Sequence, residues 1–318
     1  MTTTRRGAVV TVMLALVATS IHLLAQPVPP PPVIGRWDLT VQGTNGPFPS
    51  WLEVVLSGNR TLVGRFVGQG GSARPIARVT FGADGTVKFA LPPQWDKGDA
   101  DLQFEGKLVG DKLSGTMVDA GGASHQWSGV RAPTLRRTTG NGWGQPVTLF
   151  DGTNMTAWKP LGSETNWQVV NAVLTSTKPG ANLATVQTFT DFKLHIEFKY
   201  GKDGNSGVYL RGRYEVQVDD SAGQEPDSHH TGGIYGFLSP NEDAAKPAGE
   251  WQTYDITLFG RTVSVNLNNH LVICRQEIPG ITGGALNSHE GQPGPIYLQG
   301  SENGQVAYRN IILTPAVK

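Results

Sequence analysis

Phe192-Lys193-Leu194-His195-Ile196-Glu197-Phe198-Lys199-Tyr200 alternates apolar and polar residues at nearly every step. Side chains of a strand point to opposite faces in turn, so Leu194, Ile196 and Phe198 share a core face while His195, Glu197 and Lys199 share the other. Tyr214 to Asp219 repeats the pattern, with Tyr214, Val216 and Val218 inward and Glu215, Gln217 and Asp219 on the opposite face. Similar runs recur at Trp167 to Thr175, Asn182 to Val186, Gly207 to Leu210, Gln252 to Phe259, Thr262 to Leu267, His270 to Arg275, Gly294 to Gln299 and Val306 to Leu313. None carries a helical period. Forty-one glycines and twenty-one prolines supply turns rather than helix interiors. The fold class read from this pattern is all-β, and the C-terminal half reads as a two-sheet sandwich of the jelly-roll kind.

Working outward toward the N terminus, residues 33–130 alternate short β-prone runs with turns such as Ala83-Asp84-Gly85 and Val109-Gly110-Asp111. Runs at Gly35 to Val41, Trp51 to Leu56, Thr61 to Val67, Ala77 to Phe81, Val87 to Leu91, Asp101 to Leu108 and Lys112 to Val118 predict a meander that closes into a small barrel, because closure removes exposed edges. The opening Gly35-x-Trp37 resembles the start of lipocalin-like barrels. Residues 131–146, rich in Thr, Arg and Gly, read as a linker to a second domain over 147–318. Gly68-Gln69-Gly70-Gly71 has no helix after it and does not read as a phosphate cradle.

Arg5 and Arg6 precede an apolar stretch from Ala8 to Val17 and a Leu23-Leu24-Ala25 end, the pattern of a signal peptide over 1–25 cleaved after Ala25. A proline-rich segment, 26–32, follows. The expected location is periplasmic or secreted, and no segment is long and apolar enough for a membrane span. Cys274 is the only cysteine, so no intramolecular disulfide is expected. Twenty-six basic residues balance twenty-six acidic ones, which removes the electrostatic case for a nucleic-acid partner and favours a neutral one.

The C-terminal half resembles a known family. Leu149-Phe150-Asp151-Gly152-Thr153-Asn154 with Trp158, Gly204-Asn205-Ser206-Gly207-Val208-Tyr209-Leu210-Arg211, Tyr214 to Asp220 and Gly233-Ile234-Tyr235-Gly236 are similar to motifs of the 3-keto-disaccharide hydrolase domain. So are Lys246-Pro247-Ala248-Gly249-Glu250-Trp251, Gly294 to Gln299 and Tyr308-Arg309-Asn310-Ile311, and together they cover residues 147 to 316. The resemblance implies a concanavalin/laminin-G-like sandwich. It also implies cleavage of an oxidised 3-keto glucoside or disaccharide by 1,2-elimination, then hydration of the resulting 2-hydroxy-glucal. One departure is the run Leu298-Gln299-Gly300-Ser301-Glu302-Asn303-Gly304, where family members often carry a histidine and a glycine.

A ketone at C3 acidifies the hydrogen on C2, so the chemistry asks for a carboxylate base and a donor to the enolate oxygen. Glu215 or Asp219 is the candidate base. Arg211, Tyr235 and Lys246 are candidate enolate stabilisers, and Gln217, Tyr297 and Gln299 are candidate substrate contacts. Trp251 reads either as a platform for a sugar face or as a buried strand-start tryptophan. If Tyr209 and Arg211 share a face with the acidic residues, one concave surface gathers Glu197, Arg211, Glu215, Gln217 and Asp219. A Glu197/Glu215 acid pair stays open as the glycosidase-style alternative. His195 and Lys199 read as solvent contacts. No residue is assigned as a metal ligand, although Asp219-Asp220, Asp227 and His229-His230 leave a divalent ion open. The competing class is a noncatalytic carbohydrate-binding or cell-surface module.

Overall fold

A computed structural model describes residue 2 and residues 29–137, 142–162, 166–176, 182–300 and 305–317. Residues 1–25, read above as a signal peptide, lie outside the described residues except for residue 2. Among the described residues every regular element is a strand.

Eight strands, β1 (Gly35–Gly43), β2 (Gly46–Ser57), β3 (Thr61–Val67), β4 (Arg74–Phe81), β5 (Thr86–Leu91), β6 (Leu102–Val109), β7 (Lys112–Val118) and β8 (Ser124–Arg131), pair antiparallel in chain order. β8 returns onto β1, with Leu39 opposite Gly129 and Val41 opposite Trp127, so the barrel closes as the meander predicted. The closing strand was not legible as a strand. In Ser124-His125-Gln126-Trp127-Ser128-Gly129-Val130 the core face holds one large residue, Trp127, and then Gly129, where a Cβ would press on Leu39. Inside, Phe104 stacks on Phe89 at 4.4 Å and touches Phe66 at 4.8 Å. Trp37 is fully buried at one end, its indole N–H donating to Val33 O at 2.9 Å and its ring covered by the Arg131 guanidinium at 4.2 Å. Such a capped ring contributes about 0.5–2 kcal/mol from the cation contact alone.

The C-terminal half forms two sheets. One runs β10 (Trp158–Leu161), β13 (Asn182–Thr185), β20 (Tyr297–Leu298), β15 (Asn205–Leu210), β16 (Tyr214–Asp219). The other runs β11 (Trp167–Val170), β12 (Val173–Ser176), β21 (Val306–Pro315), β14 (Phe192–Tyr200), β17 (Gln252–Phe259), β18 (Thr262–Leu267), β19 (His270–Glu277), with β9 (Val147–Phe150) also on β21. Leu194, Ile196 and Phe198 of β14 meet Val208, Val216 and Val218 of the opposite sheet in one core, the face assignment that alternation predicts. The run Trp167 to Thr175 proves to be a hairpin. Asn171 and Ala172 both take positive φ, 51° and 61°, the geometry of a two-residue hairpin turn.

The barrel and the sandwich are joined by packing, not only by chain. Trp51 and Val67 of the barrel belong to the sandwich's core cluster, and Trp51 meets Phe237 edge-on at 5.4 Å. Ser288 Oγ donates to Leu39 O at 2.5 Å, and Arg36 pairs with Glu277. The segment read as a linker is docked where described: Leu135 lies against Gly260, Arg137 pairs with Asp191 at 3.0 Å, and Trp143 packs on Phe259. Residues 138–141 lie outside the described residues.

Beneath this junction sits a buried polar cluster. Arg261 holds Glu290 with two hydrogen bonds of 2.8 Å, and Tyr214 donates to the same carboxylate at 2.5 Å. Burial, and then the neighbouring Glu290, push Asp38 up to about 9. Glu290 loses ionisation energy to burial, but the Arg261 contact more than offsets that and holds it below its ordinary value. The pair is therefore one carboxylic acid beside one carboxylate.

Candidate functional site

Glu215 and Gln217 point away from the sandwich core, as alternation requires, yet each is only 4% exposed. The reason is cover from outside their sheet. The loop carrying Gly283 and Gly284 lies over this face, and the barrel loop Gly68-Gln69-Gly70-Gly71 lies against that loop, with Gly284 N–H donating to Gln69 O at 2.9 Å. The contact is backbone on backbone, because a Cβ on Gly283 would collide with Gly71. What remains open is a cavity of about 520 Å³ lined by Gly70, Gly71, Trp95, Asn205, Tyr209, Glu215, Gln217, Tyr235, Gly283, Gly284 and Gln299.

The floor is built from cross-strand pairs. Tyr209 of β15 stands opposite Glu215 of β16, and its phenol oxygen lies 2.8 Å from Glu215 Oε2 and 2.8 Å from Gly283 O. Tyr209 stacks flat on Tyr297 at 4.0 Å, and Tyr297 donates to Gly284 O at 3.2 Å. Burial, reinforced by Glu215, holds the Tyr209 phenol well above its usual range, so it stays a donor. Gly207, opposite Gln217, has no side chain, and a Cβ there would occupy the place of Glu215 Oε1. Gln217 donates to Asn205 Oδ1 at 3.3 Å while its own Oε1 is buried without a hydrogen-bond partner among the described residues. An unsatisfied buried amide oxygen costs about 1–3 kcal/mol and is kept most simply where a ligand satisfies it.

Of the residues singled out from sequence, Glu215, Gln217, Tyr235 and Gln299 line this cavity, and Tyr297 supports it through Tyr209. The rest lie elsewhere. Asp219 spends its Oδ1 on Ser221 Oγ at 2.7 Å, Thr231 N at 2.7 Å and Thr231 Oγ1 at 2.9 Å, fixing a loop; burial raises its carboxyl even against these hydrogen bonds. Glu197 stands on β14, in the other sheet, so it cannot face Glu215 across neighbouring strands. Burial acts to raise Glu197, but hydrogen bonds from Asn310 and Arg309 outweigh it and hold the carboxyl below its ordinary value. Arg211 sits in the β15–β16 turn at φ 53°, 1% exposed, donating to Tyr214 Oη at 2.9 Å and Gly260 O at 2.6 Å. Lys246 donates to Trp251 O at 3.1 Å, and the Trp251 ring lies under Arg309 at 3.9 Å, beside a separate cavity lined also by Lys199 and Gln305. Strand alternation locates a face within one sheet, but it does not say which sheet. That is why Glu197 separates from the expected five-residue cluster, whereas Arg211 leaves it in the β15–β16 turn and Asp219 by turning to Ser221 and Thr231.

Among the described residues no three of His, Cys, Asp and Glu converge as a metal-binding group, the Asp219, Asp227, His229 and His230 loop included. His229 instead accepts an edge contact with Tyr235 at 5.0 Å and pairs with Asp227. Tyr209 lies on the face to which the sequence conditionally assigned it; the lining residues not singled out in sequence are Asn205, the Gly283-Gly284 loop and, from the barrel, Gly70, Gly71 and Trp95. Tyr209 and Asn205 lay within quoted motifs. The barrel residues carry no local signal of a site.

A 3-keto-disaccharide hydrolase of Bacteroides thetaiotaomicron is 24% identical over 166 residues, covering 40% of this chain and 57% of that protein, so the chain spans little over half of that relative. A crystal structure of a Parabacteroides distasonis protein provisionally called a glycosyl hydrolase is 30% identical, with a TM-score of 0.46, covering 53% of this chain and 82% of that one. The carbohydrate binding module CBM66 of Bacillus subtilis is 14% identical with a TM-score of 0.34, covering 50% and 95%. Residues 145–314, more than half of the 318, match the 3-keto-alpha-glucoside-1,2-lyase-like domain, and the chain belongs to that family.

Proposed function

We propose that this protein cleaves 3-keto-glycosides, with Glu215 as the base. The observation that carries the reading is a carboxylate on the floor of a covered polar cavity, hydrogen-bonded to a phenol that stays protonated. Glu215 takes the hydrogen from C2, and the C2–H electron pair forms an enolate onto the C3 oxygen. As the enolate collapses, C3=O re-forms, the C1=C2 double bond appears and the C1 substituent leaves with its electron pair, picking up a proton. Water then adds across C1=C2, hydroxyl to C1 and hydrogen to C2, giving the free 3-keto sugar. Tyr235 and the Gln217 and Gln299 amides are the polar groups placed to orient the sugar, and among the described lining residues there is no arginine or lysine to hold the enolate. Phenol and amide donors take that role. The relative's name, 3-keto-disaccharide hydrolase, supports the same substrate class.

The Arg5-Arg6 start and the apolar run after it support export, to the periplasm or outside the cell. Among the described residues no helix is long and apolar enough to cross a membrane.

One observation favours the second reading, a noncatalytic carbohydrate-binding module: only one carboxylate remains among the described lining residues, and the others are aromatic, amide or glycine. Purified protein incubated with a 3-keto-glucoside and with the unoxidised glucoside separates the two. Release of the leaving group from the oxidised sugar alone is expected; binding of both sugars with turnover of neither selects the binding module.

A further inference from the structure

The barrel lies outside the family match, yet it forms one wall of the site. Trp95 is 76% exposed, the largest exposure of any big apolar side chain among the described residues, but the loop that carries it is braced. Asp96 pairs with Arg74 at 3.2 Å, Arg74 also donates to Pro92 O at 2.8 Å, and Gln94 donates to Ser72 Oγ at 2.9 Å. Gly98 approaches Ala120 so closely that a Cβ would collide with its carbonyl oxygen. Gly71, at φ 77°, leaves room for the Trp95 ring edge and for Gln94; any side chain there would strike both. An exposed indole on a braced loop beside a cavity is an arrangement that serves a partner ring rather than the fold.

Trp95 and Gly70 line two cavities at once. One is the 520 Å³ cavity over Glu215. The other, about 470 Å³, is the barrel mouth, with Phe48, Arg74, Asp96, Asp119 and His125 on its walls. Either volume falls within the roughly 300–1,000 Å³ of small-molecule sites. The barrel mouth also holds unmet polar capacity, since Arg74 is 9% exposed and neither its Nε nor Gln94 Oε1 has a hydrogen-bond partner among the described residues.

We propose that the barrel supplies the leaving-group subsite: Trp95 stacks against the second ring of a disaccharide whose oxidised ring lies over Glu215, and the polar barrel mouth receives that ring's hydroxyls. This rests on the cleavage reading for its substrate and assigns Trp95 as the residue that selects disaccharides over glycosides with a small leaving group. The leaving sugar departs into the barrel mouth, which shares Trp95 and Gly70 with the cavity over Glu215.

The test compares a 3-keto-disaccharide with methyl 3-keto-glucoside on the wild type, Trp95→Ala and Trp95→Tyr. Because Trp95 is exposed, Trp95→Ala keeps the wild-type melting temperature. Its kcat/KM for the disaccharide falls about three- to tenfold, the range of one aromatic stacking contact, and that for the methyl glycoside falls less, so the preference for the disaccharide over the methyl glycoside narrows. Trp95→Tyr recovers most of the loss. Equal losses on both substrates, or none on either, overturn the subsite. If the wild type turns over neither sugar, the cleavage reading fails by itself, and calorimetric affinities decide the subsite. Tighter binding of the disaccharide that Trp95→Ala abolishes upholds it; equal affinity for the two sugars, or no binding, overturns it.

Discussion

The Tyr209 phenol oxygen lies 2.8 Å from Glu215 Oε2, across one antiparallel rung from β15 to β16. A strand pair fixes that distance, so the acid is placed by backbone register and not by a mobile loop. Tyr209 also reaches Gly283 O, which ties the covering loop to the same phenol. Tyr209→Phe removes one hydroxyl from two buried acceptors. The expected cost is about 1–3 kcal/mol of stability together with a fall in kcat that exceeds any rise in KM. Thermal unfolding and initial rates measured on one preparation check both, and an unchanged kcat contradicts the placement.

Glu215→Gln keeps the shape of the side chain and removes the base. Turnover of a 3-keto-glucoside should drop by roughly 100-fold or more, the usual contribution of a general base. Glu197→Gln should leave turnover within about twofold and cost at most about 1 kcal/mol, because its ion pair with Arg309 is partly exposed on the other sheet. Asp219→Asn should lower the melting temperature through the Ser221–Thr231 loop while kcat changes little. Loss of turnover in Glu197→Gln or Asp219→Asn, with Glu215→Gln active, would reassign the base.

Much of this was legible in the sequence and some was not. The faces of β14 and β16 followed from their alternation, and the barrel from its turns. The burial of Glu215 and Gln217 did not follow, because it comes from Gly283, Gly284 and a barrel loop about 150 residues earlier in the chain. In Gly68-Gln69-Gly70-Gly71, Gly70 and Gly71 allow the close backbone approach to Gly283. The separation of Glu197 from Glu215 has the same long-range root, while Arg211 and Asp219 stay with the sheet of Glu215 and are drawn off by local contacts. A strand's period assigns a side of a sheet, while the sheet order is set by long-range pairing, here β15 with β20 and β14 with β21.

Trp51 tests the shared core. It is fully buried between barrel and sandwich, so Trp51→Ala should cost about 3–5 kcal/mol. The wild type should melt in a single transition over residues 33–317, and limited proteolysis near 138–141 should not release two stable fragments. Two resolved transitions, with only one shifted by Trp51→Ala, would show independent halves.

Asp38 gives stability a pH dependence of defined sign. Folded, it holds its proton up to about 9, while the unfolded chain releases it near 3.8. Between those values the native state binds the extra proton, so raising the pH destabilises it, by up to about 1.4 kcal/mol per pH unit from this group. The depressed Glu290 carboxyl acts in the opposite sense at lower pH, and Arg261, Arg213 and Tyr214 face the same pair. Asp38→Asn should therefore gain stability over the wild type progressively from pH 5 to pH 8 in urea unfolding. A constant difference across that range would contradict the neutral assignment of Asp38.

The central claim is that a bond from C2 to hydrogen breaks during turnover. A 3-keto-glucoside cleaved in deuterium oxide should yield 3-keto-glucose carrying deuterium at C2, beyond the exchange that the ketone undergoes without protein, and Glu215→Gln should lose label and product together. Product released at the wild-type rate with hydrogen retained at C2 would contradict the account.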